Sequence, residues 1–378
     1  EVFINKASVF LPNDVILNDD VEEFLGYVNE KPSRSKNIIL RRNGIKERYY
    51  ALNKEGNSTH TNAEMTAQAV KGLFKDNPTE LSSIDLLSCG TSSPDQLMPS
   101  HGVMVHGCLP ETSNIEVTSP AGVCCSGMHA LKYAFMSLKV GEKTKAVATG
   151  SERLGITMKS EKFEEEVHKL VELEENPYIS FEKDFLRWML SDGAGALLLE
   201  TEKNQNELSL RIDWMEACSF AHKMEACMYM GCDKKEDGDL KSYKDYDVTD
   251  IANKSLMSIK QDVKLLSKNI VEFGNELLTQ ALEKHNAKVE DLAFFLPHLS
   301  SYVFKQPIAD TLAAGGNYIP EEKWFTNLST KGNVGAGSIY IMVEELLSSG
   351  KLKKGDQVML FVPESSRFSY VITWLTVC

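Results

Sequence analysis

The strongest constraint on the fold of this chain is an internal repeat. Residues 85–90 (DLLSCG) predict a short buried strand, and the small-residue run 122–127 (GVCCSG) precedes a predicted helix. The second half repeats this order, with an apolar strand at 291–296 (DLAFFL) and a Gly-rich turn at 332–337 (GNVGAG). The two strands are offset by 206 residues (291 − 85) and the two turns by 208 (333 − 125). Two independent landmarks that shift by nearly the same amount indicate a duplicated unit.

Strands and helices alternate through both halves. In the first half, a capping box at 61–64 (TNAE) predicts the start of a helix that ends at about residue 74, and strands are predicted at 145–150 and 192–199. In the second half, a helix is predicted at 262–285 and a strand at 358–362. Continuous apolar strands between helices predict a parallel or mixed sheet covered on both faces, so the fold class is α/β. We expect two halves related by a pseudo-twofold axis, residues 1–203 and 204–378.

Composition and charge exclude several classes of protein. The 378 residues carry a net charge of −13, which argues against binding nucleic acid or an anionic membrane over the whole surface. No stretch reaches the roughly 18 apolar residues of a membrane span, and the N-terminal residues lack the pattern of a signal peptide. The eight cysteines are scattered, and their spacing suits neither a disulfide framework nor a zinc site. We therefore expect a cytoplasmic protein without a metal, a nucleic-acid partner or a membrane-inserted segment.

Cys125 stands out among the cysteines because it lies at a predicted helix start. The apolar residues Met128, Leu131, Phe135 and Leu138 recur at helical spacing after it. A thiol in the first turn of a helix faces unpaired N–H groups and the positive end of the helix dipole. Both favour the thiolate, so we expect the pKa of this thiol to fall below the free value of about 8.5.

Two further residues occupy comparable positions near strand ends and helix starts. His298 follows the strand at 291–296, and Asn333 lies in the second-half counterpart of the Cys125 turn. In α/β folds, reacting groups collect where strands end and helices begin. Alone, His298 could be a core histidine and Asn333 a turn residue. Together, at equivalent ends of a duplicated fold, Cys125, His298 and Asn333 predict a cysteine-centred catalytic site.

Six segments share their order and spacing with one known family. They are 44–48 (GIKER), 91–100 (TSSPDQLMPS), the nucleophile turn Cys124-Cys125-Ser126-Gly127, 192–196 (DGAGA), Pro297-His298 and Gly332-Asn333. On these segments the chain resembles, from end to end, the β-ketoacyl-acyl-carrier-protein synthase III (KAS III) branch of the thiolase superfamily. The resemblance implies a five-layer αβαβα fold, a homodimer with Leu97 and Met98 at the interface and acyl tunnel, and acyl-CoA or acyl-carrier-protein thioesters as substrates without a cofactor.

The resemblance also implies a reaction and a role for each site residue. Cys125 would carry an acyl group, and a malonyl thioester would lose CO₂ to give an enolate that attacks it, a decarboxylative Claisen condensation. His298 and Asn333 would stabilise the enolate oxygen, and the N–H groups of Cys125 and Ser365 would form the oxyanion hole. True thiolases place a second catalytic cysteine in the C-terminal half, and residues 332–338 contain none.

Three segments depart from the family pattern. Where the family has a Gly-Gly-Gly loop, this chain has 363–368 (PESSRF), and the segment 299–303 (LSSYV) lacks the family's Asn and Arg. The stretch 160–190 is about twenty residues longer than the resemblance implies, and we interpret it as a surface helical insert or a lid beside the acyl tunnel. These departures favour a specialised lipid or polyketide ketosynthase over an initiator of fatty-acid biosynthesis.

Several functions stay open at this point. Besides a linear ketosynthase, a ketosynthase-cyclase could make a dialkylresorcinol or cyclohexanedione precursor, with Glu152 or Glu364 as an extra acid or base. A non-condensing acyltransferase could instead pass the acyl group from Cys125 to a hydroxyl or amine, with His298 as general base. A binding protein without catalysis and a cysteine hydrolase fit the three site residues less well.

Overall fold

The protein is described by a computed structural model that covers residues 1–33, 35–162 and 186–378. The insert predicted at 160–190 therefore lies largely outside the described residues. In chain order the strands are β1 (Phe3–Phe10), β2 (Ile16–Leu17), β3 (Glu47–Arg48), β4 (Leu86–Thr91), β5 (Glu116–Thr118), β6 (Lys145–Glu152), β7 (Gly193–Glu200), β8 (Leu210–Ser219), β9 (Met228–Tyr229), β10 (Cys232–Lys234), β11 (Leu240–Ser242), β12 (Lys260–Gln261), β13 (Leu292–Pro297), β14 (Gln357–Glu364) and β15 (Ser369–Val377).

The α-helices of the described residues are α1 (Val21–Leu25), α2 (Lys36–Asn43), α3 (Asn62–Gly72), α4 (His101–Gly107), α5 (Cys124–Lys139), α6 (Val248–Asn253), α7 (Val263–His285), α8 (Lys305–Ala314), α9 (Leu328–Lys331) and α10 (Ser338–Ser348). The helices predicted at 61–74, after Cys125 and at 262–285 are present as α3, α5 and α7. The predicted capping box before α3 is confirmed, because Thr61 and Glu64 exchange side-chain-to-backbone hydrogen bonds. Asp262 caps α7 by accepting a hydrogen bond from the backbone N–H of Leu265. None of the described helices is long and apolar enough to span a bilayer.

Nine strands form one mixed sheet in the order β13-β14-β15-β8-β1-β7-β6-β4-β5. Outward from its centre, each side has two antiparallel pairings and then a parallel one: β1-β7-β6-β4 on one side and β8-β15-β14-β13 on the other. Beyond β4, the strand β5 continues in parallel, and beyond β13, Trp324 forms a parallel bridge to Phe295. The predicted duplication is therefore confirmed by the strand order.

A local two-fold relation is visible where the two halves of the sheet meet. β1 and β8 are antiparallel, and Phe3 pairs with Arg211 while Ile4 pairs with Leu210. Residues 210 and 211 lie 207 positions after residues 3 and 4 (210 − 3), so exchanging the two halves turns one of these pairs into the other. A pseudo-twofold axis at the junction requires this relation. The boundary between residues 203 and 204 is not defined by this pairing and stays a prediction.

Helices on both faces and in the middle give five layers. We call strands β1, β7, β6, β4 and β5 the first half-sheet and strands β8, β15, β14 and β13 the second. Helices α3 and α4 pack on the first half-sheet, α7 packs on the second, and α8 packs on α7. Helices α5 and α10 lie between the half-sheets, since each contacts strands of both. The apolar core of this central layer includes Cys124 and Cys125. The predicted helix start is thus buried at the centre of the molecule.

The starts of α5 and α10 approach β6 so closely that glycine is needed at the contact. A Cβ on Gly150 of β6 would lie 2.2 Å from the carbonyl oxygen of Ala336, and a Cβ on Gly127 of α5 would lie 2.5 Å from the same atom. Favourable contacts between such atoms begin at roughly 3.5 Å. The first turns of the two central helices therefore fit together only without these side chains.

We expect Gly150→Ala to lower the free energy of unfolding by about 3 kcal/mol, because the methyl group would push the Ala336 turn away from β6. Gly107→Ala is the matched control, since a Cβ there meets no atom within 4 Å. Chemical denaturation of both variants measures the difference. Equal stability of the two variants would contradict a tight contact at Gly150.

Candidate active site

The predicted nucleophile turn begins α5 between the two half-sheets. Val123 is the N-cap, and Cys124 and Cys125 form the first turn. The predicted apolar face packs into the central core through Met128, Leu131, Phe135 and Leu138. Because that face is buried along the helix, the position of the two thiols is determined by α5 as a whole.

The Cys125 side chain points toward the second half-sheet. It is fully buried, and its thiol donates a hydrogen bond to the carbonyl oxygen of Val362 at 3.3 Å, with the carbonyl oxygen of Ser369 at 3.7 Å. Burial, and then the negative charge of Glu364, raise the pKa of this thiol well above its usual value. The expectation of a lowered pKa was wrong, because it took the helix dipole into account and not the burial or this neighbouring charge.

The Glu364 carboxylate caps the start of α5. Its Oε2 atom accepts hydrogen bonds from the backbone N–H groups of Val123 and Cys125, both at 2.9 Å. Its Oε1 atom accepts one from the Ser366 hydroxyl at 2.6 Å. A carboxylate is stabilised at a helix N-terminus by these unpaired donors and by the dipole. The Cys125 N–H predicted for the oxyanion hole is therefore already engaged in this structure.

A narrow cavity of about 40 Å³ lies between β14 and the outer helices of the second half. Its polar lining residues are Cys124, Asn275, His298, Ser300 and Ser365. Its apolar wall comes from α7, α8 and neighbouring residues: Leu266, Ile270, Val271, Leu299, Phe304, Ile308, Leu312, Phe361 and Pro363. The structure thus brings the predicted residues His298 and Ser365 together, and the cysteine that lines the cavity with them is Cys124.

His298 follows the end of β13 and is buried. Its backbone N–H donates to the carbonyl oxygen of Phe361 at 2.8 Å, which fixes it beside β14. Within the described residues, neither ring nitrogen has a hydrogen-bond partner. Burial lowers the pKa of the imidazole to about 4, so the ring is neutral at pH 7. A neutral ring carries one N–H donor, which the predicted role at a developing anion requires.

Asn333 lies in the turn before α10. Its backbone N–H donates to the carbonyl oxygen of Met189 at 3.0 Å, and its carbonyl oxygen accepts from the N–H of Ser191 at 2.9 Å. Its side-chain Oδ1 accepts from the N–H of Gly335 at 2.9 Å, which leaves the Nδ2 group as the donor of the amide. Asn333 does not line the cavity, so its predicted place in the site stays a prediction.

Glu152 ends β6 and is fully buried among hydrogen-bond donors. It accepts from the N–H and hydroxyl of Ser92 (3.2 and 2.7 Å), the hydroxyl of Ser93 (2.6 Å) and the N–H of Ala336 (3.2 Å). These bonds connect the segment 91–100 with the turn before α10. Burial raises the pKa of Glu152 to about 7, although the hydrogen bonds lower it. The structure places Glu152 away from the cavity, and its acid–base role stays a prediction.

We expect the stability of the wild type relative to Glu152→Gln to fall as the pH rises. Folding raises the pKa of Glu152 from 4.5 to about 7, so its contribution is fully present below about pH 4.5 and is lost through about pH 7. The whole change is on the order of 3 kcal/mol. Denaturant unfolding of both proteins at several pH values between about 5 and 8 measures it. A stability difference that does not vary with pH would contradict the burial of this carboxyl group.

Leu97 and Met98 extend from the segment 91–100 with 74% and 85% of their surfaces exposed. The base of the segment is fixed, since Asp95 accepts two N–H bonds at the start of α3 and pairs with Arg153 at 2.9 Å. Adjacent large apolar side chains on a fixed segment suit burial against another surface. Their roles at a dimer interface and tunnel stay predictions.

Sequence reasoning missed the capping role of Glu364 and the place of Cys124 in the cavity. A signal for the first existed: Glu152 and Glu364 end the equivalent strands β6 and β14, and both face central helix starts. No local sequence signal shows which of two adjacent cysteines in one helical turn lines the cavity, because that depends on how α5 packs against the second half-sheet.

Comparison with known proteins agrees with this architecture. The family described as "3-Oxoacyl-[acyl-carrier-protein (ACP)] synthase III C terminal" matches residues 282–362, which include His298 and Asn333. The β-ketoacyl-[acyl-carrier-protein] synthase III of Aquifex aeolicus is 25% identical over 354 residues, covering 94% of this chain and 93% of that protein. The chain is thus similar to KAS III over nearly its whole length, and its C-terminal part matches the KAS III C-terminal family.

Solved structures of other proteins share the KAS III-like fold over nearly the whole chain. The tetronic acid condensing enzyme AbyA1 superposes with a TM-score of 0.76 at 18% identity, covering 100% of both chains. OleA of Xanthomonas campestris superposes with a TM-score of 0.73 at 19% identity, covering 99% of this chain and 96% of that one. The predicted thiolase-like α/β fold is thereby confirmed.

Proposed function

We propose that this KAS III-like protein is a condensing acyltransferase that holds an acyl group on Cys125 and joins it to a second acyl unit by decarboxylative Claisen condensation. The observation that carries the proposal is the neutral, unpartnered imidazole of His298 in an apolar cavity at the start of α5. A buried donor without a partner is costly, and a reaction that develops negative charge beside it gains from its presence.

In the first half-reaction, the Cys125 sulfur attacks the carbonyl carbon of an acyl thioester. A new carbon–sulfur bond forms to Cys125, and the bond to the departing CoA or carrier-protein thiol breaks. The apolar wall of α7 and α8 would hold the acyl chain.

In the second half-reaction, a malonyl thioester loses CO₂ and leaves an enolate. The N–H of His298 and the Nδ2 group of Asn333 would donate to the enolate oxygen, and each such donor is typically worth about 3 kcal/mol. The enolate carbon then attacks the acyl carbonyl, and the Cys125 sulfur leaves. Both donors act on charge that exists only during the reaction, so they accelerate the chemical step rather than substrate binding alone.

A non-condensing acyltransferase is the second candidate, and the state of His298 counts against it. That reaction would use His298 as a general base, and a base is most effective when its pKa lies near the working pH. Burial holds the pKa of His298 at about 4, so it is a poor base at neutral pH and a suitable hydrogen-bond donor. The apolar surroundings thus favour condensation.

A cyclising ketosynthase remains within the proposal. It would remove a proton from the condensed β-ketoacyl chain, and Glu364 lies nearer to Cys125 than Glu152 does, since it contacts the Cys125 N–H. Among the structural relatives, AbyA1 is described as a tetronic acid condensing enzyme, and OleA has been solved with bound lauric acid and lauroyl-CoA. We propose likewise that the protein works on CoA or carrier-protein thioesters in the cytoplasm, as a homodimer.

The test is incubation with a panel of acyl-CoA and acyl-carrier-protein thioesters, followed by malonyl or β-ketoacyl thioesters. Intact-protein mass spectrometry is expected to show one acyl group per chain, followed by CO₂ release and a condensed product. An acyl-enzyme without CO₂ release in the presence of malonyl thioester would favour the acyltransferase. The absence of any acyl-enzyme with every thioester would contradict both candidates.

A further inference from the structure

Two glutamates have equivalent places in the two halves of the fold. Glu152 is the last residue of β6 and Glu364 the last residue of β14, and these strands correspond in the sheet order. Each carboxylate reaches across to the central helix start of the other half. Glu152 accepts from the N–H of Ala336 at 3.2 Å, and Glu364 accepts from the N–H of Cys125 at 2.9 Å. The duplication thus places one carboxylate at each helix start.

The surroundings of the two carboxylates differ in a way that matters for chemistry. Glu152 is fully buried and accepts hydrogen bonds from the side chains of Ser92 and Ser93 besides its backbone donors. Among the described residues, Glu364 has one side-chain donor, Ser366, and its chain neighbours Pro363 and Ser365 line the cavity while Glu364 itself does not. Glu364 is therefore the carboxylate with fewer side-chain donors, and it is the one that contacts the N–H of Cys125.

The groups that face Glu364 are mostly thiols. Three residues of α5 interact electrostatically with Glu364: Cys124, Cys125 and the half-buried His129. Glu152, at the end of β6, adds a second negative charge near Cys124. From β15, Tyr370 lies near Cys125. Arg367, the nearest basic residue in sequence, is exposed and donates to the carbonyl oxygen of Met224 instead. Among these groups, Glu364 stands as the natural acceptor for a thiol proton.

One N–H group cannot serve the carboxylate and a substrate oxygen at the same time. While Glu364 accepts from Cys125 N–H at 2.9 Å, the oxyanion hole predicted there is occupied by the protein's own anion. The strength of the hydrogen bonds from Val123 and Cys125 to Glu364 depends on the charge of the carboxylate, because hydrogen bonds to an ionised acceptor are roughly twice as strong as neutral ones. Protonation of the carboxylate would weaken both backbone bonds together.

We propose that Glu364 takes the proton of the Cys125 thiol and that this transfer opens the oxyanion hole. The S–H bond breaks and an O–H bond forms, giving a thiolate and a neutral carboxylic acid. The neutral acid releases the N–H groups of Val123 and Cys125 to the substrate carbonyl oxygen. The thiolate forms its bond to the acyl carbon, the bond to the departing thiol breaks, and Glu364 returns the proton to that leaving group. The carboxylate then caps α5 again.

The resting position of the thiol fits the start of this cycle. Its proton is donated to the carbonyl oxygen of Val362, two residues before Glu364 on the same strand. The proposal requires the sulfur to leave that carbonyl and approach the carboxylate, which already contacts the backbone N–H of the same residue. Because the uncharged thiol and the capped helix are both stable at rest, the reactive thiolate forms only when a substrate enters.

The pH dependence of acylation tests the proposal, which rests on the proposed function. If Glu364 accepts the proton internally, no proton leaves the protein before acylation, and the single-turnover rate of the wild type is flat between about pH 6 and 8. In Glu364→Gln the proton must go to water, so the rate is expected to fall about 100-fold at pH 7 and to rise about tenfold per pH unit. A Gln at 364 that leaves the flat profile unchanged would overturn the proposal.

Two further variants keep the test decisive. Glu364→Asp retains a carboxylate, and we expect a reduced rate that is again flat with pH; a profile as steep as that of Glu364→Gln would show that the carboxylate is not the acceptor. Glu290→Gln removes an exposed carboxylate and is expected to match the wild type. If no thioester acylates the wild type, the proposed function fails. The proposed proton transfer can still be tested, because the rate at which iodoacetamide alkylates Cys125 in a Cys124→Ala background gives the same pH comparison without a thioester.

Discussion

Replacement of Cys125 by alanine is expected to abolish the acyl-enzyme and to lower condensation by at least about 10⁴-fold, since it removes the sulfur that carries the acyl group in the proposed mechanism. Cys124→Ala is the matched control, because it removes a thiol of the same helical turn that lines the cavity. We expect this variant to form the acyl-enzyme on Cys125. Intact-protein mass spectrometry after incubation with an acyl thioester, with peptide mapping of the modified residue, measures both.

The adjacent thiols make this comparison informative whichever way it comes out. Cys125 is fully buried and its thiol donates a hydrogen bond to Val362, whereas Cys124 lines the cavity together with His298 and Ser365. Acylation that survives in Cys125→Ala and disappears in Cys124→Ala would transfer the nucleophile role to Cys124. Acylation at both thiols in the wild type would also contradict the assignment, because a single nucleophile is expected.

His298→Ala is expected to separate the two half-reactions. Acylation of Cys125 does not use the imidazole in the proposed mechanism, so its rate is expected to stay within a few-fold of the wild type. Condensation is expected to fall about 10²- to 10³-fold, because the enolate loses a hydrogen-bond donor in a site that excludes water. Single-turnover acylation and release of CO₂ from a malonyl thioester are the two measurements.

A second variant controls for the void that alanine leaves at a buried position. His298→Gln keeps an N–H donor of similar reach, and we expect it to recover part of the condensation rate while leaving acylation unchanged. Equal losses of acylation and condensation in both variants would show that His298 supports the structure of the site rather than the enolate.

Much of the fold could be predicted because local and global signals agree. The repeat offset predicted the duplication that the sheet order confirms, the capping box at Thr61 marked the start of α3, and the helix predicted at 262–285 is α7. Apolar periodicity works well for α5 because its buried face must meet the core along its whole length. The insert at 160–190 falls largely outside the described residues and adds nothing to this comparison.

The electrostatics of the site could not be predicted from the position of Cys125 alone. A helix start lowers the pKa of an exposed thiol, and that rule led to the wrong expectation here. The structure buries the thiol and places Glu364, which is 239 residues away in sequence, on the same helix start. A contact across that separation depends on how the two half-sheets pack, which no local pattern reports.

The sequence by itself determined the duplicated α/β architecture, the family resemblance and the candidate residues Cys125, His298 and Asn333, because these follow from periodicity, spacing and motif order. Only the tertiary structure decided which residues share a cavity, which of the two cysteines lines it, and which group accepts the hydrogen bond from the N–H of Cys125. The physical reason is that these properties come from the approach of two sheets across a central helix pair. There, burial and one distant carboxylate outweigh the helix dipole.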